Sequence, residues 1–296
     1  MKERLGSGER EREQEITALI SLLDDPDSNV TPIVRERLKT LRPNICSLLA
    51  VREDCVHNAL MTQRLDKVIT DQILNELSAW QQEDDPELLK GLWLVYRMVR
   101  PHLEYKEMEE GCMDMVKDVW VELSDDKTSV EKVHLYNHVF YHRIGFKVED
   151  PFLSESLPAF LDRALEKKQA NPVLFGLLYL DVAYKAGLPI RAMVFPGGFL
   201  PVCVDENERV LFYINIYNAG EIFGHEQLAA FLNDFGLSIP KERFFLGDTV
   251  TLVATYVESL YFIAAHVGDR EMEQKMEQAL TLFGDERILI MEEDDE

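Results

Sequence analysis

Four cysteines and seven histidines carry most of the reactive chemistry open to this chain. Cys203 lies in an apolar, strand-like run, with Asp205 just after it and His225 further along. A cysteine nucleophile needs a helix N-terminus or an imidazolium to lower its thiol pKa. A strand interior has no helix dipole to offer, and a buried, inert thiol is the commoner case. Cys203 with His225 is therefore the alternative catalytic reading, a cysteine hydrolase or acyltransferase. His134, His138 and His142 follow an i, i+4, i+8 series that runs along one helical face, as in some metal sites. Spacing fixes no carboxylate or thiol beside them, so structural histidines, no metal and no cofactor are expected. Ser21, Ser47, Ser124 and Ser129 lack a Gly-x-Ser-x-Gly context, and neither a phosphate-cradling glycine loop nor a Cys-x-x-Cys pair occurs. Gly197-Gly198 has two readings: a turn after Pro196, or a cleft opened by a lost side chain.

These groups depend on elements that the pattern marks out. Asn171-Pro172 reads as N-cap and first position of an apolar helix from Val173 to Ala186, closed by Gly187-Leu188-Pro189. Three strand-like runs follow, Ile190–Phe195, Phe199–Val204 and Arg209–Ile216. Upstream the pattern is helical. Ile16, Leu19, Ile20, Leu22 and Leu23 form a stripe, Asp24–Val30 breaks it, and Thr31-Pro32 signals a new start. Helix, Asp-Pro turn, helix, Pro, helix resembles a HEAT-type element, although no second copy recurs at a fixed period. Further helices are expected over Leu60–Leu77, Leu88–Val99, Met108–Leu123 and Val130–Arg143, the last capped by Thr128 or Ser129. Gly145–Gln169 reads as a loop and then a helix. Gly224–Phe235 is a further helix, and Thr249–His266 with Arg270–Phe283 forms a hairpin joined at Gly268-Asp269.

The stretch NPVLFGLLYLDVAYKAGLPIRAMVFPGGFL, beginning at Asn171, resembles the central motif of bacterial SirB-type transglutaminase-like proteins, within the papain/transglutaminase-like superfamily. Tyr136–Phe146 (YNHVFYHRIGF) is similar to that family's Asn-His-x-x-Phe-x-x-x-Gly-Phe segment, and Phe212–Leu232 to its strand-turn and following helix. The likeness covers Ile16 to Phe283, with three motifs in the expected order. It implies a thiol at the start of the central helix, a His on the next strand and an Asp on the one after. Those slots fall on or beside Pro172, at Gly198 and at Asn215, so all three groups are missing. Asn171, Pro172, Gly197, Gly198, Asn215 and Asn218 are the candidates for lining the altered cleft.

The chain has 296 residues, enough for a sizeable core, and 46% of them are hydrophobic. No apolar run in the sequence pattern approaches the ~18 residues of a membrane span. The first residues carry no apolar signal region, and the spread cysteines suit a reducing, cytoplasmic setting. A net charge of −23 argues against nucleic acid and against an anionic membrane surface as partners. The expectation is an α+β protein with four parts. A helical, HEAT-like region (1–128) packs on a degenerate transglutaminase-like core (129–240), followed by a helical hairpin (241–290) and a solvated acidic tail (291–296). The expected role is non-catalytic: a cytoplasmic binding or scaffold module for a protein partner or small ligand.

Overall fold

The computed structural model describes residues 7–27, 29–124, 126–149, 159–234, 236–237, 239–240 and 243–284. The acidic tail lies outside them, as does the part of the 145–169 segment from 150 to 158. The chain divides into two compact units, residues 1–83 with 97–103, and residues 84–96 with 104–296.

The first unit holds α1 (Ser7–Leu22), α2 (Val30–Leu41), α3 (Ile45–Asp54) and α4 (Ala59–Gln81). Leu23, Val34, Leu38, Leu48, Leu65 and Ile73 are buried, so the apolar faces of the four helices supply its core. The predicted stripe is narrower than expected, for Leu22 is 44% exposed. The start signal at Thr31-Pro32 also moves. Helix α2 begins at Val30 with Asn29 in the cap position, which leaves Pro32 inside the first turn, where a missing N–H costs nothing. Asn44 and Asn58 cap α3 and α4 by accepting the N–H groups of Cys46 (2.8 Å) and Met61 (3.1 Å).

The second unit opens with α5 (Leu88–Arg97, whose last residue groups with the first unit), α6 (Tyr105–Glu122) and α7 (Ser129–Asn137). Thr128 and Glu131 form a reciprocal capping box at α7. The helix predicted to run on to Arg143 widens instead into a π-helical turn, His138–Arg143, closed by Ile144 N–H to Val139 C=O at 2.8 Å. Short strands β1 (Lys147–Val148) and β2 (Gln169–Ala170) pair in parallel around α8 (Leu161–Lys167). The central helix α9 (Pro172–Lys185) follows. Pro172 stands at its first position, the Asn171 side chain accepts the Leu174 N–H (2.8 Å), and Gly187 is left-handed at φ 80°.

The strands β3 (Ile190–Phe195), β4 (Gly198–Val204), β5 (Val210–Asn215), β6 (Glu221–Phe223) and β7 (Phe245–Gly247) form one antiparallel sheet in the order β6-β5-β4-β3-β7. The three predicted strands are its centre, and the two three-residue edges carry too little pattern to be seen in sequence. The helix expected over 224–235 is a 3-10 turn, His225–Gln227, leading into α10 (Leu228–Asp234). Helices α11 (Thr249–Val267) and α12 (Arg270–Leu280) make the predicted hairpin, with Gly268 at φ 76° and Asp269 as the cap. The expectation that no apolar run nears span length is corrected here. By length and composition α11 is apolar enough to cross a membrane, and most of it is buried within the protein. Its Val253, Tyr256, Val257 and Leu260 are core residues.

Candidate functional site

Two of the three slot positions named in sequence, Pro172 and Gly198, line one cavity at the N-terminus of α9, and Asn215 is not part of it. Pro172 and Val173 form one wall of a cavity of about 130 Å³; Gly197, Gly198 and Phe199 form another, and Ile216, Tyr217 and Phe231 close it. Pro196 and Gly197 are the two residues between the paired Phe195 and Gly198, and Gly197 is at φ 95°. That is the Pro-then-Gly pattern of a type II turn, so Gly197 is required by the backbone. Gly198 is different, because a Cβ there would meet only the Phe195 ring at 3.5 Å. A third glycine shapes the cavity from the helix side. A Cβ on Gly176 would come within 2.8 Å of the Phe199 ring, so its absence lets that ring lie against α9. Sequence reasoning named Gly197 and Gly198 but missed the aromatic lining, although Phe195 and Phe199 flank them directly.

The remaining candidates do other things. Asn171 is buried as the helix cap, and its Nδ2 donates to Ser259 Oγ on α11 (3.1 Å). Asn215 makes a turn: its side chain accepts the Tyr217 N–H (3.1 Å), and its carbonyl accepts from Asn218 (3.1 Å) and Gly220 (3.0 Å). Asn218 belongs to a second cavity of about 500 Å³, which it shares with His134, His138, His142, Asn137 and Glu221. The three histidines do face one space, and the rings of His138 and His142 lie 5.4 Å apart. Among the described residues, no set of three His, Cys, Asp or Glu side chains has the geometry to hold a metal ion. The buried hydrogen bonding expected of the Asn-His pair belongs to Asn137. It donates to Gly220 C=O (2.6 Å) and accepts from Tyr179 Oη (2.6 Å), while Tyr136 Oη donates to the Tyr179 carbonyl (2.6 Å).

Cys203 and His225 do not meet. Leu200, Val202, Val204 and Tyr213 point into one core cluster, so the alternating Cys203 points to the opposite face of the sheet. His225 lies on the Tyr213 side, with its Nδ1 2.9 Å from the Tyr213 hydroxyl. Burial pushes the Cys203 thiol up to about 11, and it raises the Cys112 thiol further above its ordinary value. Both shifts oppose thiolate formation.

At the C-terminal end of α9, away from the cavity, Lys185 Nζ lies 2.8 Å from Glu87 Oε1 and 3.0 Å from Asp181 Oδ2. Desolvation raises the Asp181 carboxyl despite that ammonium. Glu87 is held below its ordinary value, the bonds from Lys185 and Tyr105 outweighing its own desolvation.

Residues 106–249 match the model of the transglutaminase-like superfamily core. The chain is also similar to a UPF0162 protein of Vibrio cholerae serotype O1, 26% identical over 149 residues, which are 50% of this chain and 54% of that protein. A UPF0162 protein of Xylella fastidiosa strain 9a5c is 22% identical over 149 residues, covering 47% of this chain and 51% of its own. The chain thus spans about half the length of the curated relatives it matches. No solved structure matches it.

Proposed function

We propose that the transglutaminase-like domain is a non-catalytic, SirB-type binding module, active in the cytoplasm, whose apolar cavity receives a side chain of a protein partner. The observation that carries this reading is the cavity itself. The family resemblance puts the nucleophile and histidine slots at Pro172 and Gly198, and the described lining contains no thiol, imidazole or carboxylate. Nucleophilic acyl transfer needs an activated nucleophile with a base in reach, and these walls hold neither. What they hold is apolar surface around a volume close to the ~150 Å³ at which a dry protein cavity takes up benzene. One phenyl or isobutyl group is the matching occupant. N-acetyl-phenylalanine amide, titrated by NMR, is expected to shift Val173, Leu200 and Phe231, and Gly198→Leu is expected to abolish those shifts by filling the space. Shifts confined to another part of the domain would reject the cavity as the binding site. A cysteine alkylated in the native state with an apparent pKa well below ~8.5 would reject the non-catalytic reading.

A further inference from the structure

The first unit contains a larger cavity, about 840 Å³, between α1, α3 and α4. Its side walls are aliphatic, from Ile16 and Ile20 on α1 and Leu48 and Val51 on α3. Its other wall is polar and buried. Gln72 and Glu76 sit one turn apart on α4, and Arg97, only 8% exposed, donates to Glu76 Oε2 at 2.8 Å. Gln72 is 5% exposed, and its Oε1 has no hydrogen-bond partner among the described residues. A buried amide oxygen left unsatisfied is costly, and a ligand N–H would relieve it.

The open end of the cavity is cationic. Two exposed arginines, Arg12 and Arg42, line it beside one exposed glutamate, Glu13, in a chain whose net charge is −23. Arg12 is committed to the end of α2, donating to the carbonyls of Leu41 and Arg42. Arg42 holds a left-handed backbone at φ 47°, unusual for a residue with a side chain, at the point where the chain turns towards α3. The first turn of α3, from Asn44 to Ser47, opens onto the same space. Its partial positive charge favours an anion there.

Aliphatic walls, an orphaned acceptor and a cationic end match one ligand class. We propose that this groove binds the carboxy-terminal end of an apolar peptide. The carboxylate lies at Arg42 and the α3 N-terminus, an amide N–H donates to Gln72 Oε1, and aliphatic side chains rest on Ile16, Ile20 and Val51.

The test uses the intact chain and the exposed Cys46, which lines the groove. N-acetyl-Leu-Ile-Val is compared as the free acid and as the carboxamide, reading protection of Cys46 from alkylation, with Cys55, outside the lining, as the internal control. The acid is expected to protect at concentrations about tenfold lower than the amide, and Arg42→Gln is expected to erase that difference. Gln72→Leu is expected to weaken both peptides while leaving the denaturation midpoint unchanged or higher, since the orphaned acceptor is gone. Equal protection by acid and amide overturns the proposal. So does protection that survives Ile16→Arg, or an absence of protection at ~1 mM peptide.

Discussion

At the scale of single residues, the thiols and the buried amide give the sharpest expectations. The folded Cys203 thiol is raised from 9.0 to about 11. A group raised by folding contributes its full stability below its unfolded pKa and loses it as pH climbs through the folded one. Denaturation midpoints are therefore expected to hold steady up to about pH 9 and then fall; Cys203→Val is expected to lessen the earliest part of that decline, the rest of which belongs to the Cys112 thiol, also raised by burial. The buried tyrosines Tyr136, Tyr179 and Tyr256, also raised by burial, add to the fall at higher pH. Asn137 is the second test. Asn137→Ala strands a buried carbonyl and a buried hydroxyl, which predicts a loss of about 2–4 kcal/mol in urea denaturation. Gly220→Ala is expected to be at least as damaging, because its Cβ would lie 2.3 Å from the Asn137 side chain and its φ is 76°. The Asn-His segment was visible in sequence, but which of the pair bonds inward was not. His134, His138 and His142 are all exposed, and no local pattern announces the π-helical turn that carries the last two.

At the scale of elements, α9 is both the scaffold of the cavity and the place where buried charge is stored. Lys185 sits between Glu87 and Asp181, and Asp181 is almost wholly enclosed. Removing the cation strands two carboxylates, so Lys185→Met is expected to cost about 3–5 kcal/mol of stability, and adding Asp181→Leu should recover part of it. The Gly176 face makes a gentler prediction. Gly176→Ala should displace the Phe199 ring and weaken N-acetyl-phenylalanine amide binding, with little change in helix content by circular dichroism. The cap, the body and the C-terminal glycine of α9 were all legible, because each obeys a local rule that the rest of the fold does not override. Strands β3 to β5 were legible for the same reason. Strands β6 and β7 were not, since three residues carry too little alternation to stand out from a loop. Thr31-Pro32 misled by two residues, because a proline is tolerated throughout a helix's first turn.

At the scale of the whole molecule, the acidic excess governs how stability responds to salt. A net charge of −23 repels itself in the compact state, so raising sodium chloride from about 0.01 to 0.5 M is expected to lift Tm by about 2–5 °C. A flat or falling Tm would mean that local ion pairs such as Arg35–Asp71 outweigh the general repulsion. The α+β class, the helical first part and the closing hairpin followed from periodicity and punctuation. The second cavity and the groove in the first unit did not, because each depends on side chains brought together from distant parts of the chain. The sheet also has a consequence for association. Its two borders, Glu221–Phe223 and Phe245–Gly247, are three residues long; the first leads into the 3-10 turn before α10, and the second into α11 through its cap, Asp248. Another chain seeking a strand-on-strand grip finds only a ladder three residues long there. Edge-to-edge pairing of copies is discouraged, and so is partner recognition by strand addition. The side-chain insertion proposed for the α9 cavity needs no such edge.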